Sequence, residues 1–468
     1  MPKININEVD LTSAAVIDPT ETIVFVPGFM GVNGTAEFRK PILCRTITEF
    51  ESNFGTSAQT VTDENGFIGT ANAEFLDRSY LMAKKLIRSG CPVIYEAVGA
   101  ASGNDINALY EALRGTETET TSTPSILVEL KDKLLYNPRF ITSGGYGTFG
   151  YITTDLSDET PAQDSTIVTI MEEVAGHFSG DDGRGDCVAL IDHSYYSTFS
   201  QKDDVDVVES RDDFNFEVGT ALTVKQMFIG IGNKYCAAFT PWWVSSDTDL
   251  TANERIVYPP SLAYLLAYTN SINNGNPTWF AAAGVTRGMI SSFYAPTIEI
   301  GSIEANNLMP DNLSADSQGV VTEYRSINPI CNISPYGYVI WGNRTLHSLN
   351  SGLTASSFLN VRNLCSDIKK TLFSAANRLM YEPNSNILWM NFKALIDPLL
   401  TRMLTSQGIS GYKITRLPTD KKYTLLANIQ IIPIEAVENF DITIVLTDEI
   451  TEVTEEYAEI VSSESGLA

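Results

Sequence analysis

The sequence predicts a multidomain protein of mixed α/β and α+β class with an extended arm at each end. Three observations carry this. Between residues 91 and 290, short β-branched or aromatic runs alternate with stretches of helical period, as a partly parallel sheet with crossover helices requires. After Gly319 the texture changes to two long amphipathic stretches followed by alternating strands. The ends differ from both: residues 1 to about 20 are polar, and the last stretch, EITEVTEEYAEIVSSESGLA, is acidic.

Taken in order, the N-terminal arm carries two small apolar clusters, Ile4 with Ile6 and Val9 with Leu11, ahead of Pro19. ETIVFVPGFMG (Glu21–Gly31) is a β-rich run stopped by Pro-Gly, a strand and a turn. PILCRTITEFESNFG gives a short strand and an amphipathic helix, with Phe50 and Phe54 four residues apart and Gly55 as its C-cap. LDRSYLMAKKLIRSG repeats the helix pattern and again ends on glycine. PVIYEAV, RFITS, CVALID and KYCAAFTPWW then read as strands. NDINALYEALRG, SILVELKDKLLYN, STIVTIMEEVAGHF and the proline-started PPSLAYLLAYTNSI read as helices. FLNVRNLCSDIKKTLFSAANRLMYEPNS predicts a long helix ending at Glu-Pro-Asn, and NILWMNFKALIDPLLTRMLTSQG a second one, perturbed at Pro398 and ended by Gly408. YTLLANIQIIPIEAVENFDITIVLTD supplies the closing strands. In its last part Ile442, Ile444 and Leu446 alternate with Thr443, Val445 and Thr447.

Composition limits the function. The 468 residues suffice for roughly three domains. Lys and Arg number 31 against 57 Asp and Glu, a net charge of −26, which repels phosphate backbones and anionic lipid. The densest basic stretches, Lys84-Lys85 with Arg88 and Lys369-Lys370, read as solvated helix faces. Neither nucleic acid nor membrane is therefore expected as a partner. After Lys422 there is no Lys or Arg but there are ten carboxylates, a pattern of solvated or disordered tails. Six scattered cysteines lack metal or disulfide spacing and predict reduced, mostly buried thiols. The N-terminus lacks a signal-peptide core, and no apolar run reaches membrane-spanning length, so synthesis and folding in the cytoplasm are expected.

Three segments imitate active sites. GYGTFG (Gly145–Gly150) satisfies GxGxxG, but the next helix starts more than ten residues later, so its N-terminus cannot face a pyrophosphate. GTSA (Gly55–Ala58) resembles the nucleophile segment of subtilisin-type proteases, yet His177, His193 and His347 all follow Ser57, against that family's order. RGDC (Arg184–Cys187) abuts a predicted strand and reads as a chance match. No catalytic residue, cofactor site or metal site is assigned. A cytosolic α/β hydrolase or nucleotide-binding enzyme remains the alternative of a different class.

The most distinctive segment, INPICNISPYGYVIWGNRTL (Ile327–Leu346), resembles the signature of contractile phage tail sheath proteins: an Asn-Pro-Ile turn, then a strand reaching Trp-Gly-x-Arg-Thr-Leu. FLNVRNL, YEPN and the Leu-rich helix closed by Gly408 are similar to the family's following elements, in order. IVFVPGFMGVNGTAEFRKPILCRTITEFESNFG resembles its N-terminal portion and KYCAAFTPWW its middle domain, so the likeness covers most of residues 23–446, most weakly between about 100 and 180.

The resemblance implies an α/β middle domain, subtilisin-like in fold and without a triad, inserted in an α+β core. The implied division is an arm at 1–22, core at 23–100, middle domain at 101–320, core at 321–440, and an arm strand with acidic tail at 441–468. It implies core signature positions Asn328, Pro329, Trp341, Gly342, Arg344, Thr345, Arg362, Glu382 and Pro383. Arg344, Arg362 and Glu382 are expected to form one network, since forked arginine hydrogen bonds fix geometry. The arms, with Ile4, Ile6, Val9 and Leu11 at one end and Ile442, Ile444, Val445 and Leu446 at the other, are implied to add strands to neighbouring subunits. The implied function is structural and non-enzymatic: a helical homopolymer of six-fold rings around a tail tube, with baseplate and tail terminator proteins as further partners. It would contract to drive the tube through the target envelope. The implied location is the virion, after assembly in the host bacterial cytoplasm. The sheath of a phage-tail-like bacteriocin or contractile injection system carries the same motifs.

Overall fold

A computed structural model describes residues 21–63, 73–98, 105–117, 122–146, 166–176, 183–192, 196–201, 214–218, 233–247, 250, 255–290, 293–310, 314–315, 321–322, 325–349 and 352–438. Both predicted arm clusters and Ile442, Ile444, Val445 and Leu446 fall outside these residues, as do His177, His193 and Gly147–Gly150.

An eight-stranded sheet forms the centre. Its strands are β1 (Val24–Phe29), β2 (Ile42–Cys44), β3 (Val93–Val98), β4 (Phe140–Ile141), β5 (Val188–Asp192), β6 (Cys236–Thr240), β7 (Ile327–Ile333) and β8 (Gly337–Ile340), in spatial order β8-β7-β6-β5-β4-β1-β3-β2. The six inner strands are parallel; β2 and β8 run antiparallel at the two edges. Inner strands buried on both faces need continuous apolar runs, and β1, β3 and β5 are buried at every position.

The period of two divides those runs between two cores. Phe25, Ile94, Ile141, Ala189 and Ala238 face α3 (Ile106–Arg114) and α4 (Thr166–Ala175). Val24, Val26, Tyr95, Phe140 and Leu190 face α1 (Ile47–Phe54), α2 (Arg78–Arg88) and α5 (Pro260–Asn273). The second core includes the packed rings of Phe50, Phe54, Tyr80 and Tyr95. Burying either phenylalanine contributes about 1.5–3 kcal/mol. Thr46 and Glu49 close a capping box at the start of α1, and Gly55, at φ 98°, ends it in a conformation that an L side chain resists.

A third, smaller core stands apart. It unites α6 (Leu359–Arg378), α7 (Asn386–Thr405) and a separate two-stranded hairpin of β9 (Ile409–Leu417) and β10 (Leu426–Pro433) around Leu364, Ile368, Ile396, Leu400, Met403 and Ile409.

Four expectations need correction. SILVELKDKLLYN forms only a six-residue 3-10 turn, Ile126–Lys131, because Asp132 leaves helical geometry. The Asn-Pro-Ile turn is instead the interior of β7, where Pro329 is tolerated because pairing with β8 begins only at Ile330. KYCAAFTPWW is not one strand: β6 stops at Thr240, and a second short strand, Trp243–Ser245, belongs to another sheet. Finally, α7 runs through Pro398 and its last helical residue is Thr405; the left-handed residue of its C-terminal turn is Gln407, at φ 59°, and Gly408 ends the helix one residue later, its N–H closing on the Met403 carbonyl at 2.8 Å. Strand β9 was legible in the alternation of Tyr412 and Ile414 with Lys413 and Thr415 but is not among the strands expected above.

Candidate functional site

The signature segment is an internal fastening. Asn328, fully buried on β7, donates to the carbonyls of Ala238 (3.0 Å) and Arg344 (2.8 Å) and accepts the Arg344 N–H at 2.7 Å. One side chain thereby satisfies three backbone groups that burial would otherwise leave without partners. Gly342 is confined by the same contact: an added Cβ would lie 2.7 Å from Asn328 Oδ1 and 2.8 Å from Met309 Sδ. The Arg344 guanidinium donates to the carbonyls of Met309 (3.1 Å) and Pro310 (2.8 Å). Thr345 donates from its hydroxyl to Ser356 O and from its N–H to Ser357 O, both at 2.8 Å. Asn343 accepts the Leu359 N–H, and its side chain donates to Asn360, so the segment delivers the chain into α6.

The expected Arg344–Arg362–Glu382 network does not form. Arg344 and Arg362 are buried, but Glu382 is exposed and pairs with neither. Distance along the helix explains this: Arg362 lies in the first turn of α6 and Glu382 beyond its far end, about 30 Å away at 1.5 Å per residue. Arg362 instead lies over the Tyr235 ring, 4.9 Å from its centroid. Pro383 is exposed, Pro329 is buried, and Trp341 is 41% exposed.

Helix α6 joins the third core to the sheet through charge. Arg139, at the start of β4, forms an ion pair with Asp367, both with no exposure, and Asp367 also accepts from the Thr278 hydroxyl. Lys370, almost fully buried, donates to Pro138 O at 2.7 Å and Asn137 O at 3.3 Å, and burial pushes its ammonium down to about 7. Lys369 donates to Gly185 O at 2.7 Å. Lys369 and Lys370 are therefore seam residues, not a solvated face. Sequence reasoning missed Arg139 and Asp367, which lie 228 residues apart with no local signature.

Beyond the seam, the third core presents unsatisfied surface. Among the described residues β9 and β10 pair only with each other, leaving both outer edges open. Tyr423, Leu426 and Ile432 on the hairpin are 84%, 43% and 64% exposed, and Ile387 and Met390 on α7 are 70% and 68% exposed. Patches of this kind mark interaction sites.

None of the three imitated active sites assembles a reaction centre among the described residues. Gly145 backs onto Arg78 and Pro259, and Tyr146 donates to the buried Asp77 cap of α2 at 2.7 Å. Ser57 is exposed, and its carbonyl accepts the Val32 N–H. Arg184 pairs with Asp186 and donates to Leu130 O, so the RGDC segment is buried packing. Cys44, Cys91, Cys187, Cys236 and Cys331 are buried and Cys365 partly so. Among the described residues no helix is long and apolar enough to cross a membrane, and no group of His, Cys, Asp and Glu is placed to hold a metal.

No protein-family model matches the chain. The tail sheath protein of Vibrio phage KVP40 is 27% identical over 167 residues, covering 35% of this chain and 22% of that relative, so the chain matches about a fifth of the relative's length. The fold is similar over nearly its whole length to the sheath complex of an extracellular contractile injection system, PVC, in its contracted state (TM-score 0.56, 14% identity, 96% of this chain and 98% of that one). It is also similar to a chain of the anti-feeding prophage baseplate (TM-score 0.55, 13% identity, 96% and 99%). The anti-feeding prophage helical sheath in its contracted state gives a TM-score of 0.51 at 14% identity, covering 96% and 99%. The chain has the mixed α/β fold of these sheath chains, and its resemblance to the contractile tail sheath family holds.

Proposed function

We propose that this chain is the structural subunit of a contractile tail sheath: it polymerises around an inner tube and contracts to drive that tube through a target envelope, without catalysis. The observation that carries the proposal is the open-edged hairpin β9–β10, exposing apolar side chains on a layer fastened to a well-packed body. An open edge can accept an extended segment through backbone hydrogen bonds. The segments to fill it are the terminal arms, Ile4 to Leu11 and Ile442 to Leu446. Such a contact joins unlike patches, so it propagates rather than closing on a dimer. The buried seam would make body and layer move as one piece, so contraction is a repacking of rigid subunits linked by flexible arms.

The same reading places residues 101–320 as a middle domain inserted in a core built from 23–100 and 321–440. It takes the tube, baseplate and terminator proteins as partners, the virion as destination, and the host cytoplasm as the place of assembly. The phage relative favours a virus tail. The fold likeness to PVC and anti-feeding prophage particles favours a second reading, the sheath of a contractile injection system.

Negative-stain electron microscopy of the full chain beside a variant truncated after Phe440 tests the proposal. Striated tubes from the full chain, lost on truncation, are expected. Compact single subunits from the full chain, even when it is produced together with its tube and baseplate proteins, would overturn it.

A further inference from the structure

A cavity of about 360 Å³ opens where the chain enters the sheet. Glu21 and Thr22, just ahead of β1, and Pro92, just ahead of β3, line it from the body. Leu399, Arg402 and Met403 line it from α7. The cavity therefore spans the seam between the body and the third core. Its apolar wall is formed by Ile272 of α5, by Trp279 in the loop after it, and by Leu399 and Met403. Its two charged groups differ. The Glu21 carboxylate already accepts from Arg45, at 2.8 and 3.3 Å. Arg402 is exposed at the mouth, and among the described residues its guanidinium has no hydrogen bond or ion pair. An apolar hollow beside one unmatched cation fits an aliphatic side chain followed by a carboxylate.

The sequence supplies that pattern next to the cavity. Ahead of Glu21 the chain reads AAVIDPT, residues 14–20. Asp18 is the nearest acid before Glu21, and Val16 and Ile17 stand directly before it. Three extended residues span about 10 Å, so Asp18 comes within reach of a rim that Glu21 itself helps to form. Pro19 holds Asp18 to extended geometry, which turns Ile17 and Asp18 to opposite sides of the backbone. One then faces the apolar wall and the other the mouth.

We infer that Ile17 seats in this cavity of its own chain, with Asp18 paired to Arg402. The seat ties the root of the N-terminal arm to body and third core at once. It leaves residues 1–15 as the free length of the arm, at most about 50 Å when extended. The same segment of a second copy would compete against a tether of a few residues, whose effective concentration is in the millimolar range. The own chain is therefore the favoured occupant. Cavity, charge and chain connectivity carry the inference, and it stands independently of the sheath reading.

Disulfide trapping in the full chain tests this. Ile17→Cys with Leu399→Cys is oxidised in a mixture of two isotopic compositions, and peptide mapping separates bonds within a copy from bonds between copies. The bond is expected within one copy, forming several-fold faster than in the control pair Ile4→Cys with Leu399→Cys. Asp18→Lys should slow it several-fold, and adding Arg402→Asp should restore it. Hydrogen exchange of chains without new cysteines decides the matter if the paired variant does not fold. Removing residues 1–18, or replacing Ile17→Asp, should speed exchange around Trp279 and in the last turns of α7, while Ile4→Asp should not. Bonds formed only between copies would overturn the own-chain occupant. Equal trapping rates for the two pairs, or exchange unchanged by the deletion, would mean that the cavity holds water alone and would overturn the inference. Either result leaves the sheath reading as it was.

Discussion

The α/β body and the α6–α7–hairpin layer solve the burial problem in different ways. Around the sheet, helices cover both faces, and two apolar cores hold most large side chains out of water. The layer has one small core, and twelve large apolar side chains between Phe373 and Ile434 are exposed, against ten in all the described chain before it. Their junction differs again: it is made of buried charge, where hydrogen-bond geometry fixes orientation and adds little net stability. A body complete in itself, a layer lacking its cover and a junction built for alignment suit a subunit whose surface is finished only by its neighbours.

The strongest way to break that comparison is at the junction. Asp367→Ala leaves Arg139 charged, buried and without its carboxylate, and should cost about 3–5 kcal/mol. Denaturant unfolding, followed by hydrogen exchange in α6 and α7, should show that loss. The double replacement Arg139→Met with Asp367→Leu should cost far less. If the single and double variants unfold alike, the seam is not an alignment device.

A smaller effect separates the regions by pH. Burial, with nearby Glu129 adding, raises Glu96 on β3 from 4.5 to about 8, so its carboxyl stays protonated in the folded body while the unfolded chain releases the proton. Its contribution is full below about pH 4.5 and is lost as pH rises to about 8. Burial lowers Lys370 at the seam from 10.5 to about 7, so its contribution is full above about pH 10.5 and is lost as pH falls to about 7. Measured by urea unfolding across pH, Glu96→Gln should flatten the fall between pH 5 and 8, and Lys370→Met the rise between pH 7 and 10. Equal profiles for the variants and the parent would contradict the assignment.

The smallest expected change tests the surface of the body. Lys40 and Glu37 pair at 3.0 Å with both side chains well exposed, so Lys40→Ala should leave the unfolding midpoint where it was. A clear shift would mean that this rim belongs to an interface.

The body was largely legible in the sequence, because its strands and helices announce themselves locally. Val24–Phe29, Val93–Val98 and Val188–Asp192 are apolar runs of strand length, and Phe50 with Phe54 marks a helix face. Pairing of charges was not legible. Arg344, Arg362 and Glu382 stand in neighbouring motifs, but a 20-residue helix carries Glu382 away from both arginines. The resemblance implied a turn at Asn328 and Pro329, yet tertiary pairing with β6 holds them extended.

By itself, then, the sequence determined most of the segments that become strands and helices, where the acidic excess lies, and which ordered motifs carry the family likeness, since periodicity and charge are properties of neighbouring residues. Only the tertiary structure decided that Lys369 and Lys370 turn inward, that Asp367 meets Arg139, and that among the described residues β9 and β10 pair only with each other. Those outcomes depend on which distant segments the packed body brings within hydrogen-bond reach, and no local pattern encodes that distance.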